Sequence, residues 1–344
     1  MVTILVQVPE AGILGSMQLT LFEPGQGTGA DDLEPAPVSE EVRAVASRLP
    51  GVLRMGGQSW VYPGWTGPGL VYAPGTRPAL LLGRGLTAYS KHPLLRAMEI
   101  DRTFYEPLPA STFAGFAAQV PEGFRFPTKA SQDCTVVTYP AHARFGARAG
   151  QRNPRLLDPA WAADAVVGPF VEGLGEKAGP LLFQFSPFEV RSPQRFAEKL
   201  HGFLAKLPKG PVYAVELRNE ELLTEAYGRA LADAGAVHCF NVWGRMPDVL
   251  EQRERLPAAV RRVLVARWLH PPGVTHEGAR QKYEPFNRLV EEDPGRREQL
   301  ATLAVDAVRE GAEVYVMVNN KAEGCAPESI RKLAEVIAGK VAPR

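Results

Sequence analysis

Glu99 and Glu216 each stand at the end of a short apolar run, the kind of position from which a side chain reaches a functional face. Two such carboxyl groups in unequal environments form an acid and a base: one held protonated, the other ionised. Lys129, at the end of a third run, joins them as a catalytic candidate. Arg218 and Arg267 supply planar donors that grip a phosphate, carboxylate or sulfate with two parallel hydrogen bonds. Gln184, His270, Asn319 and Asn320 complete the polar strand ends, the asparagines being suited to orienting hydroxyl or phosphoryl groups. The competing reading is structural, with salt bridges neutralising the glutamates and polar residues capping strand ends and helices. Three cations against two glutamates leave positive charge for a ligand, and both readings can hold together.

Other chemistries have less support. Glu99, Glu216 and His270 are a conceivable divalent-metal set, but no HxH or HExxH spacing accompanies them, so no metal or cofactor is expected and a metal is the minor alternative. Cys239 lies in an apolar run and reads as core, and no serine sits in a GxSxG turn. Trp60, Tyr62, Trp65 and Tyr72 form either a plug over the fold or a stacking platform for a base or sugar, with Trp60 and Tyr105 as the aromatic candidates for substrate contact. The stretch Cys134 to Leu157 has no acidic residue and carries Arg144, Arg148, Arg152 and Arg155, either a solvated loop or a phosphate-tracking patch beside the site.

Eight apolar runs must position these groups: Val52 to Gly56, Leu95 to Ile100, Phe124 to Lys129, Pro180 to Phe185, Val212 to Leu217, Ala236 to Val242, Val263 to Leu269 and Val314 to Val318. Between them lie segments of helical period, such as Phe196, Leu200, Phe203, Leu204 and Leu207, with a closing helix on Ile330, Leu333, Ala334 and Ile337. Strands apolar on both faces and alternating with amphipathic helices predict an α/β fold, a single (β/α)8 TIM-like barrel. Its active face lies where the strands end. The segment Pro24 to Pro37, rich in glycine, proline and acid, predicts a linker, so residues 1–50 read as an N-terminal extension and 51–344 as the barrel, with Met17 as an alternative start.

With 344 residues, 45% hydrophobic, 22% charged and a formal net charge of +1, the composition is that of a globular chain and excludes both wholesale disorder and a globally basic nucleic-acid coat. No membrane span or secretion signal is read, and the three scattered cysteines suggest neither disulfides nor a zinc knuckle, so a reducing cytoplasm is expected.

The chain resembles the YecE-like family, domain of unknown function seventy-two, from about Leu53 to Ile337. The resemblance rests on Gly56-Gly57-Gln58-Ser59-Trp60 with Tyr62-Pro63-Gly64-Trp65, Glu99-Ile100-Asp101-Arg102-Thr103-Phe104-Tyr105, and Phe126-Pro127-Thr128-Lys129-Ala130. It continues through Phe183-Gln184-Phe185, Val215-Glu216-Leu217-Arg218, Arg267 with His270, and Val318-Asn319-Asn320-Lys321-Ala322-Glu323-Gly324. It implies a TIM barrel and no particular reaction. Val136, Asn219, Leu222 and Pro271 stand where the family often has histidine, histidine, tryptophan and glycine, which weakens any mechanism built on those histidines.

Gln18-Leu19-Thr20-Leu21-Phe22 resembles the pentapeptide by which bacterial replication and repair proteins bind the sliding clamp, with Gln18, Leu19, Leu21 and Phe22 as partner-binding residues. The alternative is packing on the barrel or an inert tail. The leading expectation is a metal-independent acid/base enzyme acting on an anionic substrate related to nucleic acid or nucleotides. The alternatives are a hydrolase or isomerase of a small phosphorylated or carboxylated sugar, and a non-catalytic DNA-associated module recruited through the clamp.

Overall fold

The computed structural model describes residues 33–257, 262–271, 273–274 and 276–341. Eight parallel strands run β1 (Leu53–Gly57), β2 (Leu95–Met98), β3 (Phe126–Lys129), β4 (Ala178–Gln184), β5 (Tyr213–Glu216), β6 (Val237–Trp243), β7 (Val263–His270) and β8 (Glu313–Val318). Each ends within two residues of the range expected from the sequence. The ladders connect them in the order β2-β1-β8-β7-β6-β5-β4-β3. The remaining seam closes through parallel bridges Ala97–Arg125 and Ile100–Thr128, with the Ile100 amide donating to the Pro127 carbonyl at 2.9 Å and the Lys129 amide to the Ile100 carbonyl at 3.0 Å. Pro127 has no amide hydrogen, which is one reason β3 is short and its pairing with β4 slips beside it. The molecule is a (β/α)8 TIM-like barrel.

The two faces of each strand bury different things. Leu182, Ala214, Val237, Cys239, Val263, Val265 and Tyr315 form one cluster inside the barrel, whereas Leu264, Ala266 and Trp268 of β7 belong to the larger cluster beneath the helices. Because side chains alternate with a period of two, the next interior position after Leu182 is Gln184, after Ala214 is Glu216, after Cys239 is Asn241 and after Val265 is Arg267. These four form the polar top layer over an apolar floor. Gly56 sets the approach of β1 to β2: a Cβ there would fall 1.8 Å from the Ala97 carbonyl oxygen.

The outer layer comprises α1 (Glu40–Arg48), α2 (Pro78–Tyr89), α3 (Ala110–Ala117), α4 (Pro159–Ala162), α5 (Gly168–Leu174), α6 (Pro193–Leu204), α7 (Glu225–Ala234), α8 (Val249–Arg255), α9 (His276–Tyr283), α10 (Pro294–Arg309) and α11 (Ala326–Val341). Helix α1 lies inside the stretch read as extension. Ser39 caps it by accepting from the Val42 amide, and it buries Val42, Val45 and Ala46 while packing on α11. Upstream, the Ala36 amide donates to the Val71 carbonyl at 2.9 Å, so residues from Leu33 onward lie against the barrel. Gln18, Leu19, Leu21 and Phe22 lie outside the described residues.

Short α8 is anchored by one side chain. Gln252 accepts from the Asn241 amide at 3.1 Å and donates to the Asn241 and Pro247 carbonyls at 2.7 Å each. His238 meets its Oε1 at 3.2 Å and is held at its other ring nitrogen by the Tyr227 hydroxyl at 2.9 Å. Burial lowers His238 to about 4, so the ring is neutral and serves as a spacer between β6, α7 and α8. Among the described residues no helix is long and apolar enough to cross a membrane.

Candidate active site at the barrel mouth

Arg267 occupies the centre of the mouth. Its Nε and Nη2 donate to Glu99 Oε2 and Oε1 at 2.9 and 2.6 Å, and its Nη1 to Glu216 Oε2 at 2.5 Å. Glu216 also pairs through Oε1 with Arg218 Nη2 at 2.5 Å, and Gln184 Oε1 accepts from Arg267 at 3.3 Å and Arg218 at 3.5 Å. Arg218 lies 4.5 Å over the Trp243 ring, with His270 packed edge-on to that ring. Lys129 Nζ pairs with Asp101 Oδ1 at 2.8 Å and sits 4.0 Å over Phe104.

Burial determines how these groups titrate. Glu99, 1% exposed, is raised to about 6 because its loss of water outweighs the Arg267 charge, with Asp101 adding repulsion. For Glu216 burial also pulls upward, yet the Arg218 and Arg267 guanidiniums together exceed it and hold the carboxyl below its ordinary value. Asp101 is likewise held low against its burial, by Lys129 and Arg267. Lys321, just beyond β8, is lowered to about 8 by burial and then by Arg280, against the pull of Asp101. Burial also lowers His270, whose Nδ1 lies 3.2 Å from the Pro271 carbonyl, so this imidazole is neutral near pH 7.

The mouth therefore unites Glu99, Lys129, Gln184, Glu216, Arg218 and Arg267, with His270 at the end of β7. Asn319 belongs to the same face: its Nδ2 donates to Gln58 Oε1 at 2.7 Å and its Oδ1 accepts from the Lys321 amide at 2.9 Å. The expectation of three cations against two glutamates needs correction, since Asp101 is a third carboxylate and is Lys129's partner. Sequence reasoning also left Lys321, Trp243 and Gln58 out of the site. The available signal for Asp101 and Lys321 was that each lies two residues past a polar strand end, Glu99 and Asn319.

Other expected contacts have different surroundings. Trp60 is buried, donating from Nε1 to the Leu81 carbonyl at 3.0 Å and packing edge-on against Phe116. It is part of a plug rather than a platform, because a ligand cannot reach its face. Asn320 is buried too, its Oδ1 accepting from Trp65 Nε1 at 3.0 Å and the Ala326 amide at 2.8 Å, which welds the first loop to the start of α11. Tyr105 is 46% exposed and packs edge-on to Phe104. In the basic loop, Arg148 and Arg155 are both paired to Asp133, at 3.3 and 3.0 Å, immediately upstream of the acid-free stretch. Arg152 is exposed on a groove outside the barrel, and Arg144's side chain lies outside the described set. Among the described residues no group of three or more His, Cys, Asp or Glu side chains is placed to hold a metal ion.

A closed parallel barrel with its polar layer at the C-terminal ends of the strands is a TIM-barrel protein, and this is where such proteins carry their sites. The family model described as "Protein of unknown function DUF72" matches residues 54–343, and the chain belongs to that family, the one its motifs resemble. A DUF72 family protein from Thermotoga maritima superposes with a TM-score of 0.56 at 20% identity, over 83% of this chain and 98% of that one. One from Enterococcus faecalis gives 0.54 at 16% identity, over 83% and 97%. At these identities the likeness is one of fold. No curated protein matches the chain in sequence.

Proposed function

We propose that the barrel mouth is an acid–base active site for a small substrate bearing a phosphate or carboxylate group. One observation carries this reading: the buried carboxylates Glu99, Asp101 and Glu216 share the mouth with Lys129, Arg218 and Arg267, and their environments drive Glu99 up and Asp101 and Glu216 down, as an acid and base pair requires. Gln58 Nε2 and Arg218 Nε, buried donors without a hydrogen-bond partner among the described residues, add capacity to bind an oxyanion. In this reading Lys321 and Glu99 exchange protons near neutral pH, Asp101 orients Lys321, and Glu216 stays ionised as the anchor of both arginines.

A small molecule is favoured over nucleic acid because the basic loop does not extend the mouth. Two of its arginines are spent on Asp133, and none of the mouth residues lines the groove that Arg152 shares. Calorimetric titration with inorganic phosphate, sulfate and citrate tests the reading. Binding should weaken about tenfold in Lys321→Gln, an effect of roughly 1.4 kcal/mol, and stay unchanged in Arg152→Gln. Absence of binding at millimolar anion would overturn it. The match of Gln18 to Phe22 to a clamp-binding peptide supports a separate reading, in which this segment docks on a bacterial sliding clamp.

A further inference from the structure

A groove with a volume of about 600 Å³ lies on the outside of the barrel and shares no lining residue with the mouth. That is the size of a ligand site. One wall is α6, where Lys199, Gly202 and Phe203 share a face at i, i+3 and i+4, continued by Lys206 just past the helix end. The other is the end of the loop after β3, with Arg152, Leu156 and Leu157.

This second wall is held in place by its own hydrogen bonds. Asn153 donates to the Asp133 and Val136 carbonyls at 2.8 Å each and accepts from the Tyr139 hydroxyl and the Arg155 amide at 2.9 Å. Leu157 is kept at a φ of 54°, a left-handed conformation that is costly for a leucine, with its amide on the Cys134 carbonyl at 3.0 Å. Arg152, Lys199 and Lys206 are exposed, and among the described residues no carboxylate lines the groove. The result is an apolar floor under a cationic rim.

We propose that this groove docks an extended acidic segment of a partner protein, with a leucine-sized side chain on the floor and carboxylates on the rim. The spacing supports it. Lys199 stands on the last turns of α6 and Lys206 two residues past its end, in a tightened turn whose Lys206 amide donates to the Phe203 carbonyl at 3.1 Å, which sets the two lysines roughly 10 Å apart along the groove. In a polyproline-II-like peptide, residues three apart share a face and lie about 9 Å from each other. An acid-x-x-acid pattern therefore matches both lysines, and Arg152 meets it from the opposite wall. Single-stranded nucleic acid fits less well, because such strands stack their bases on open aromatic faces and the groove's aromatic residue, Phe203, is 2% exposed.

The test uses the full chain and the labelled hexapeptide Ser-Asp-Leu-Pro-Glu-Ser, followed by fluorescence anisotropy at low salt. Replacing the peptide's leucine by serine, or both its acids by lysine, should weaken binding about tenfold or more, as should Lys199→Glu with Lys206→Glu. Gly202→Trp should abolish it while preserving the melting temperature, since a Cβ at Gly202 meets no atom within 4 Å. Binding that survives Gly202→Trp, no binding at millimolar peptide, or an oligothymidylate that binds more tightly than the peptide would each overturn the proposal.

Discussion

Arg267 is more deeply committed than a ligand-binding arginine usually is. It is 2% exposed and is the counter-charge of two buried carboxylates contributed by other strands. Removing one partner of such a cluster leaves uncompensated buried charge, so Arg267→Met should cost about 3–5 kcal/mol in urea denaturation. Adding Glu99→Gln should restore part of that loss, because its orphaned charge disappears, whereas Glu216 keeps Arg218 as its partner. Lys321 permits a separate test. The folded chain holds this proton less tightly than the unfolded one, about 8 against 10.5, so between these values the unfolded state binds more protons and stability rises with pH. In Lys321→Met that part of the rise should vanish. Competitive acetylation read by mass spectrometry should place the Lys321 midpoint near 8; a midpoint above 10 would remove this lysine from the proton-exchange role.

At the scale of elements, the sixth βα unit depends most on a single side chain. Helix α8 has only seven residues, too short to hold itself by propensity, and Gln252 ties it to β6. Gln252→Leu would leave the Asn241 amide and carbonyl, and one nitrogen of His238, without their partner. With about 1–3 kcal/mol for each buried group left unpaired, the variant should lose more than about 2 kcal/mol of stability. Faster amide exchange should be confined first to β6 and α8, and uniform acceleration across all eight strands would argue that the network is not local. Element positions were legible in the sequence because eight apolar runs alternate with segments of helical period. Their ends were less so: β2 stops at Met98 rather than Ile100, since beyond it the chain bonds to β3 only through isolated bridges.

For the whole molecule, the proposed sites share no residues: the mouth holds the network of carboxylates and cations, the groove is lined by α6 and the loop after β3, and the clamp-like peptide precedes the described residues. Recruitment through that peptide should add binding without altering the barrel. Leu21→Ala with Phe22→Ala should abolish co-purification with a sliding clamp while the melting temperature stays the same, and micromolar affinity, roughly 8 kcal/mol, is the expected ceiling for so small an anchor. A drop of several degrees in melting temperature would mean that the segment packs on its own barrel.

What the sequence determined alone is which side chains share a face. Alternation with a period of two places Gln184 above Leu182, Glu216 above Ala214 and Arg267 above Val265, and parallel strands deliver all of them to one end. That property is local and survives in any register. What only the tertiary structure decided is who meets whom. Arg267 reaches Glu99 across 168 positions of sequence and Glu216 across 51, and these pairings arise from barrel closure and strand stagger rather than from any local pattern. The same closure gave Lys129 to Asp101 and drew Asn320 into the wall beside Trp65, because a buried polar group takes whichever partner packing brings within reach.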